Sequence, residues 1–450
     1  MLQGGFKRRL PGHLEISDSM NLIFFAIVIV AFLTAGWHQL GWIPAEGETA
    51  PMEALSKAMV ESAAGSVELA LGLIGVMTLF LGLMKVAEVG GLLSVLARLI
   101  RPVMVRLFPD VPSDHPAMGA MILNMSANAM GLGNAATPFG IRAMQELDKL
   151  NSHPGTATNS MALFLAINTS NVTLLPTGVI ALRAAAGSTD PAGILATTLF
   201  ATLCSTMIAI IAAKGYGRFF RLKSIAEKGK GRKVEDVVAE EEATLPEAST
   251  EAYPVWVGFS AVCALLALVP VTVVYGRTLS PWIIPGLMAG FLGYGVIRRV
   301  RVYEVFVEGA KEGFHVAIRI IPYLVAILVA VGMFRASGAM EAMVDALGPW
   351  TGKLGLPAEA LPMALMRPLS GSGAYGILAS IINDPAIGPD SYIGYLVSTF
   401  QGSTETSFYV LAIYFGAVQI RRVRHALAAA LTADVAGIAA AVAVCTYLYG

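Results

Sequence analysis

Stretches of roughly 20 consecutive residues with almost no charge recur along this chain, the length an α-helix needs to cross the hydrocarbon of a bilayer. Full-length stretches cover residues 20–37, 67–84, 158–182, 192–213, 255–275, 282–297, 314–334, 392–415 and 426–448. These nine predict an all-α, polytopic membrane protein whose first partner is membrane lipid. Composition excludes the soluble alternative. Only 14% of the chain is charged, against about 25% in ordinary soluble domains, and the mean hydropathy is +0.67. With 31 basic and 31 acidic residues, no net positive charge argues for nucleic acid. Cys204, Cys263 and Cys445 lie in apolar runs without CxxC spacing and read as packing residues.

The first stretch follows Lys7, Arg8 and Arg9 and reads either as a signal peptide or as a retained helix. Its length and the Trp37/Trp42 interfacial pair favour the helix. Two further segments, 116–141 and 362–382, are apolar but interrupted by glycine, proline and small polar residues. Each is expected to enter the membrane and return on the same side as a re-entrant hairpin, its polar tip buried in protein. Lysine and arginine set the orientation, because cytoplasmic loops carry the excess. With the N-terminus cytoplasmic, 24 basic residues fall inside and 5 outside, which places the C-terminus outside.

The chain repeats itself. A helix (67–84), an amphipathic stretch (91–108), a hairpin (116–141), a polar-interrupted helix (158–182) and a closing helix (192–213) recur in order as 314–334, 338–354, 362–382, 392–415 and 426–448. Lys85 pairs with Arg335, and Ser126 with Ser370. The two copies begin on opposite sides of the membrane and are therefore inverted, as in many secondary transporters. Residues 1–223 hold the first copy and 253–450 the second. Residues 224–252 between them are basic and then acidic, and read as a flexible cytoplasmic linker.

Four polar interruptions carry the functional expectation. Hairpin one holds Asn124, Ser126 and Asn128, and the first broken helix Asn168, Thr169, Ser170, Asn171 and Thr173. Hairpin two holds Arg367, Ser370 and Ser372, and the second broken helix Gln401, Ser403 and Glu405. Broken helices free backbone amides and carbonyls, which survive in a membrane only where they line a cavity or a protein interior. Amide side chains beside them both donate and accept. The chain is thus expected to bind a small polar solute there, with Na⁺ or H⁺ as candidate coupling ion and Asn128, Thr169, Ser170 and Thr173 as candidate ion ligands. The competing account is that small polar residues only hold helices together. Glu405 is the sharpest candidate, since a carboxylate inside a span is costly and usually faces a functional interior; its alternative is structural pairing with Arg367. Asp434 is a second candidate, with helix packing the favoured role. Gly371–Gly376 satisfies GxGxxG without the βαβ context that a dinucleotide needs. The six histidines are scattered, so neither a metal centre nor an enzyme is expected.

The run from Asn124 to Gly140, NMSANAMGLGNAATPFG, resembles the spore maturation protein A family. The runs MRPLSGSGAYG, from Met366, and QGSTETS, from Gln401, resemble spore maturation protein B. The chain looks like a fusion of the two. Both belong to a nucleoside-recognition, or gate, group similar to the core of concentrative nucleoside transporters. That resemblance implies two hairpins and two broken helices holding the solute. Hairpin one and Asn168–Thr173 would lie on the base and Na⁺ side, and hairpin two with Glu405 on the ribose side. The first broken helix lacks the family's base-binding carboxylate, and Arg367 is an unexpected cation, which makes an anionic or envelope-derived solute as strong an expectation as a nucleoside. The expected protein is a bacterial inner-membrane secondary transporter working by alternating access. The alternative is a non-transporting scaffold or regulator of envelope processes such as peptidoglycan or spore maturation. A homo-oligomer is open, with 91–108 and 338–354 as candidate interface.

Overall fold

The computed structural model describes residues 16–44, 49–131, 133–170, 172–220 and 253–450. The expected linker lies outside the described residues, as do Lys7–Arg9 and Asn171. Among the described residues the secondary structure is helical, with one isolated β-bridge between Thr156 and Arg422.

The repeat predicted from sequence is the plan of the fold. The first copy runs α2 (Pro51–Val89), α3 (Leu92–Leu107), the hairpin α4–α5 (Pro116–Ala129 and Gly133–Lys149), the broken helix α6–α7 (Asn159–Ser170 and Thr177–Ala185) and α8 (Ile194–Phe219). The second runs α10 (Val302–Ala336), α11 (Ala339–Thr351), α12–α13 (Leu361–Met366 and Gly371–Ile382), α14–α15 (Tyr392–Ser403 and Ser407–Ala417) and α16 (Ala426–Tyr449). The corners match as well. α2 bends into α3 by 69° and α10 into α11 by 78°. Each corner turns on a glycine with positive φ, Gly91 at 87° and Gly338 at 80°, a conformation that a Cβ disfavours.

Equivalent helices of the two copies run antiparallel. Near one end of α10, Gly309 lies on Leu81 and Lys85 of α2; near the other, Gly332 lies on Ala58 and Ser62. Small residues set this approach: a Cβ on Gly309 would sit 2.5 Å from the Cβ of Lys85. Likewise Tyr449 at the end of α16 donates to the Gly193 carbonyl at the start of α8 (2.9 Å), while Gly217 at the far end of α8 lies against His425. The axis relating the copies therefore lies across the helices, and the repeat is inverted. α1 (Ile16–Gly41) packs on this frame through Ala31 and Ala35, against Leu55 and Met333.

Among the described residues three helices are singly long and apolar enough to cross a bilayer, and the two bent pairs bring the number to five. The stretches 158–182 and 392–415 are each delivered as two half-helices, and the hairpins add shorter pieces. α2 and α10, at 39 and 35 residues, are far longer than the spans read inside them. The stretches 255–275 and 282–297 form one helical run, α9 (Val255–Ile297). Straight, its 43 residues would reach about 64 Å. Yet Gly258 lies against Leu99 and Pro102 of α3, and Gly295 against Val86 of α2. About 20 Å of helix separates those anchors, so α9 bends back sharply within its length.

Two clasps between copies close the opposite faces. On one, Arg183 reaches across from the end of α7 to the α13–α14 loop, donating to the Pro389 carbonyl (2.6 Å) and to Asp390 Oδ1 (3.0 Å). Ser188 and both donors of Thr189 complete the Asp390 carboxylate. Burial pushes that carboxyl up, but these hydrogen bonds and the Arg183 charge outweigh it and hold it below its ordinary value. On the other face the equivalent loops of exchanged copies meet through backbone. Ala157 donates to the Arg422 carbonyl, and the Arg421 and Arg422 amides donate to the Gly155 carbonyl, all at 3.0 Å.

Candidate functional site

The two breaks lie at the centre of the molecule and arise differently. Break one, described over residues 172–176, ends at Pro176, which has no N–H to continue the helix and pushes the preceding residue towards extended backbone. Break two, Thr404–Thr406, contains neither proline nor glycine. Thr404 (φ −137°, ψ 165°) and Thr406 (φ −79°, ψ 97°) are extended, as β-branched residues readily are.

Every broken turn frees backbone groups that hydrocarbon cannot satisfy, and here partners come from other elements. The Glu405 amide donates to the Thr169 carbonyl at 2.7 Å, so the breaks of the two copies meet directly. The Leu174 amide donates to the Ala129 carbonyl of hairpin one (3.0 Å), and the Phe408 amide to the Pro368 carbonyl of hairpin two (3.1 Å). Thr202 of α8 donates to the Ser170 carbonyl (2.9 Å). Arg367 caps the end of α14, Nη2 donating to the Thr404 carbonyl and Nη1 to Thr406 Oγ1. At the hairpin-one tip Gly131, with φ +77°, comes so close to break one that a Cβ would sit 2.5 Å from the Leu175 carbonyl.

Around this crossing is a cavity of about 150 Å³. Hairpin one contributes Asn128 and Gly131, and break one with the start of α7 contributes Thr173 and Leu175 to Val179. Hairpin two contributes Tyr375, and break two Gln401, Gly402, Thr404 and Glu405. All four interrupted segments share this one wall. The Glu405 side chain is 40% exposed and 3.8 Å from the Arg367 guanidinium.

Of the residues singled out from sequence, Asn128, Thr173, Gln401 and Glu405 line the cavity. Asn168 lies behind it, its Oδ1 accepting from Asn128 Nδ2 at 3.0 Å. Asn124 is fully buried and joins α4 to the Ala136 carbonyl and to the Tyr414 hydroxyl. The hydroxyls of Ser126, Thr169 and Ser170 turn back onto carbonyls of their own helices. Ser370 caps α13 by accepting from the Gly373 amide, with Ser372 beside it at 3.5 Å. Ser403 is buried, its hydroxyl without a partner among the described residues. Arg367 is 3% exposed and engaged by break two, and its side chain does not line the cavity.

Sequence reading missed Tyr375, whose hydroxyl closes the cavity wall by donating to the Gly178 carbonyl (2.7 Å), and Tyr414, which reaches from α15 to Asn124 and Asn168. An aromatic residue in an apolar run looks like packing. Only its hydroxyl, at the level of the breaks, signals more.

Residues 70–220 and 317–421 match the family model described as Gate, nucleoside recognition. The chain is 49% identical over 172 residues to spore maturation protein B of Bacillus subtilis (strain 168), covering 38% of this chain and 96% of that protein. It is 45% identical over 181 residues to spore maturation protein A of the same organism, covering 40% of this chain and 89% of that protein. No solved structure matches it.

Proposed function

Because this chain belongs to the Gate, nucleoside recognition, family and joins A-like and B-like spore maturation portions in one membrane polypeptide, we propose that it binds a small polar solute at the crossing of its breaks and moves it by alternating access. The observation that carries this reading is the junction of the Glu405 amide with the Thr169 carbonyl, beside a cavity to which both hairpins and both breaks contribute. Inverted repeats meeting in broken helices let the two halves exchange roles on the two sides of a membrane. The basic-rich face, which carries the α2–α3 corner and the ends of α9, is the cytoplasmic one in this reading, with the inner membrane as location.

The wall also speaks to solute class. Its acidic side chain is Glu405, and the neighbouring cation is already held by a carbonyl, a hydroxyl and Glu405 itself. That favours a neutral hydroxyl-bearing solute of the nucleoside kind over an anion: Glu405 accepts from sugar hydroxyls, while Asn128 and Gln401 both donate and accept.

The test is thermal stability of the purified protein with uridine, adenosine, N-acetylglucosamine and succinate, with and without Na⁺. At about 100-fold over Kd a ligand stabilises by about 2.7 kcal/mol, a shift of a few degrees in Tm. A saturable rise with a nucleoside that is lost in Glu405→Gln supports the reading. No shift, together with no uptake into proteoliposomes, sinks it.

A second reading, a scaffold acting on envelope processes without transport, draws on the size of the cavity. About 150 Å³ is the volume of about five liquid waters, below the ~300 Å³ at which ligand pockets begin. A scaffold needs no opening. Its phenotype would map to surface positions, and the solute panel would leave Tm unchanged.

A further inference from the structure

Break two carries charge where break one carries only amides and hydroxyls. Beyond Arg367 and Glu405, a second carboxylate stands behind it. Asp434, in the middle of α16, is 3% exposed. Its Oδ2 accepts from Ser407 Oγ at 2.6 Å, at the first residue of α15. Its Oδ1 is buried and has no hydrogen-bond partner among the described residues. Both carboxylates lie within electrostatic reach of the Arg367 guanidinium.

The charges do not balance. One guanidinium faces two carboxylates, so full ionisation leaves a net negative charge in the interior of a membrane protein. Among the described residues, the elements packed on α16 supply no second cation near Asp434. α6 brings no ionisable side chain; α14 brings Tyr392 and Tyr395 at its far end, and α15 brings Tyr409 and Tyr414. α8 brings Cys204, with Lys214, Tyr216 and Arg218 further along beside the start of α16, where His425 lies. A buried carboxylate with an open oxygen and no cation of its own takes up a proton rather than stand charged. A metal cation at the same place would be repelled by Arg367, and the described residues hold no group of three His, Cys, Asp or Glu side chains that could bind one.

We propose that Asp434, Arg367 and Glu405 form a proton site in which two carboxylates share one guanidinium and one proton. In the conformation seen, Arg367 pairs with Glu405 and the proton is on Asp434 Oδ1. When Arg367 turns to Asp434, the O–H bond at Asp434 breaks and one forms on Glu405, so the total charge is unchanged. From Glu405, which lines the cavity, the proton exchanges with water. A solute accepted by ionised Glu405 would thus be coupled to a proton held one residue deeper. This deepens the solute-site reading and rests on it, but the measurement that tests it needs no solute, so either can fail alone.

The measurement is infrared difference spectroscopy of the purified full chain at neutral pH. A protonated carboxylic acid has a carbonyl stretch apart from the carboxylate bands, and it shifts in D₂O. Labelling wild type with ¹³C-aspartate identifies the band without any substitution. The expected result is an aspartic acid band in wild type that is lost in Asp434→Asn and also lost in Glu405→Gln, because Arg367 then has only Asp434 to pair with. Absence of the band from wild type overturns the proposal. A band kept in Glu405→Gln overturns the sharing, since burial alone would then account for the proton. A band kept in Asp434→Asn places it on another residue.

Discussion

The Arg183–Asp390 clasp can be taken apart one charge at a time. Arg183 is fully buried and holds the Pro389 and Asp190 carbonyls, Ser188, Ser398 and Asp390, with its guanidinium 4.3 Å from the Tyr395 ring centroid. Asp390 is 31% exposed and has three donors besides Arg183. Asp390→Asn leaves a buried cation held only by dipoles, a cost of about 2–3 kcal/mol once solvent access at Asp390 is allowed for. Arg183→Met removes five charged hydrogen bonds but leaves a carboxylate that water and three donors still serve. The double variant should therefore be no worse than Arg183→Met alone, giving a coupling energy of about 1.5–3 kcal/mol in a double-mutant cycle. Unfolding in mixed micelles, followed by far-ultraviolet circular dichroism, measures it.

The sign with pH follows from the depressed Asp390 value. Its contribution is fully present above the unfolded carboxyl value near 4 and is lost as pH falls through the lower folded value. Acidification should thus destabilise wild type more than Asp390→Asn. Additivity of the single variants within about 0.5 kcal/mol, or equal acid sensitivity, would refute the account of the clasp.

Other expectations follow from single contacts. Gly131→Ala places a Cβ at positive φ and 2.5 Å from the Leu175 carbonyl, so it should cost at least ~1–2 kcal/mol; an unchanged Tm would contradict the close approach of tip and break. Ser62→Cys with Gly332→Cys should cross-link on oxidation, because a Cβ on Gly332 would lie 3.1 Å from that of Ser62, near the ~3.5–4.5 Å a disulfide needs. Failure to cross-link, read by gel mobility after proteolysis between the copies, would argue against antiparallel α2 and α10. Tyr375→Phe removes the hydrogen bond to Gly178 and should lower stability by about 1 kcal/mol while weakening solute binding; binding that is unchanged would take Tyr375 out of the site.

Much of this architecture was legible because membranes restrict what a chain can do. A polar cluster inside an apolar run has few structural outcomes, and the Asn168–Thr173 and QGSTETS runs marked both breaks. What was lost was lost to local chemistry. The hydroxyls of Ser126 and Ser370 look like ligands in a sequence, but they turn onto backbone groups four and three residues away, the Ile122 carbonyl and the Gly373 amide. α2 extends to Pro51 because Glu53, Lys57 and Glu61 are compatible with a helix but not with a hydropathy window. The cap of Arg367 on Thr404 joins residues 37 positions apart, and the burial of Asp434 depends on which face of α16 meets break two. Neither follows from spacing.

The meeting of the Glu405 amide with the Thr169 carbonyl bears on assembly. Each half, taken alone, would leave one of those groups without its partner, so neither half can finish its own centre. Two separate polypeptides would have to find one another in the bilayer, at a rate set by how much of each is present. Carrying both on one chain fixes their stoichiometry at one to one and makes completion of the centre independent of expression level.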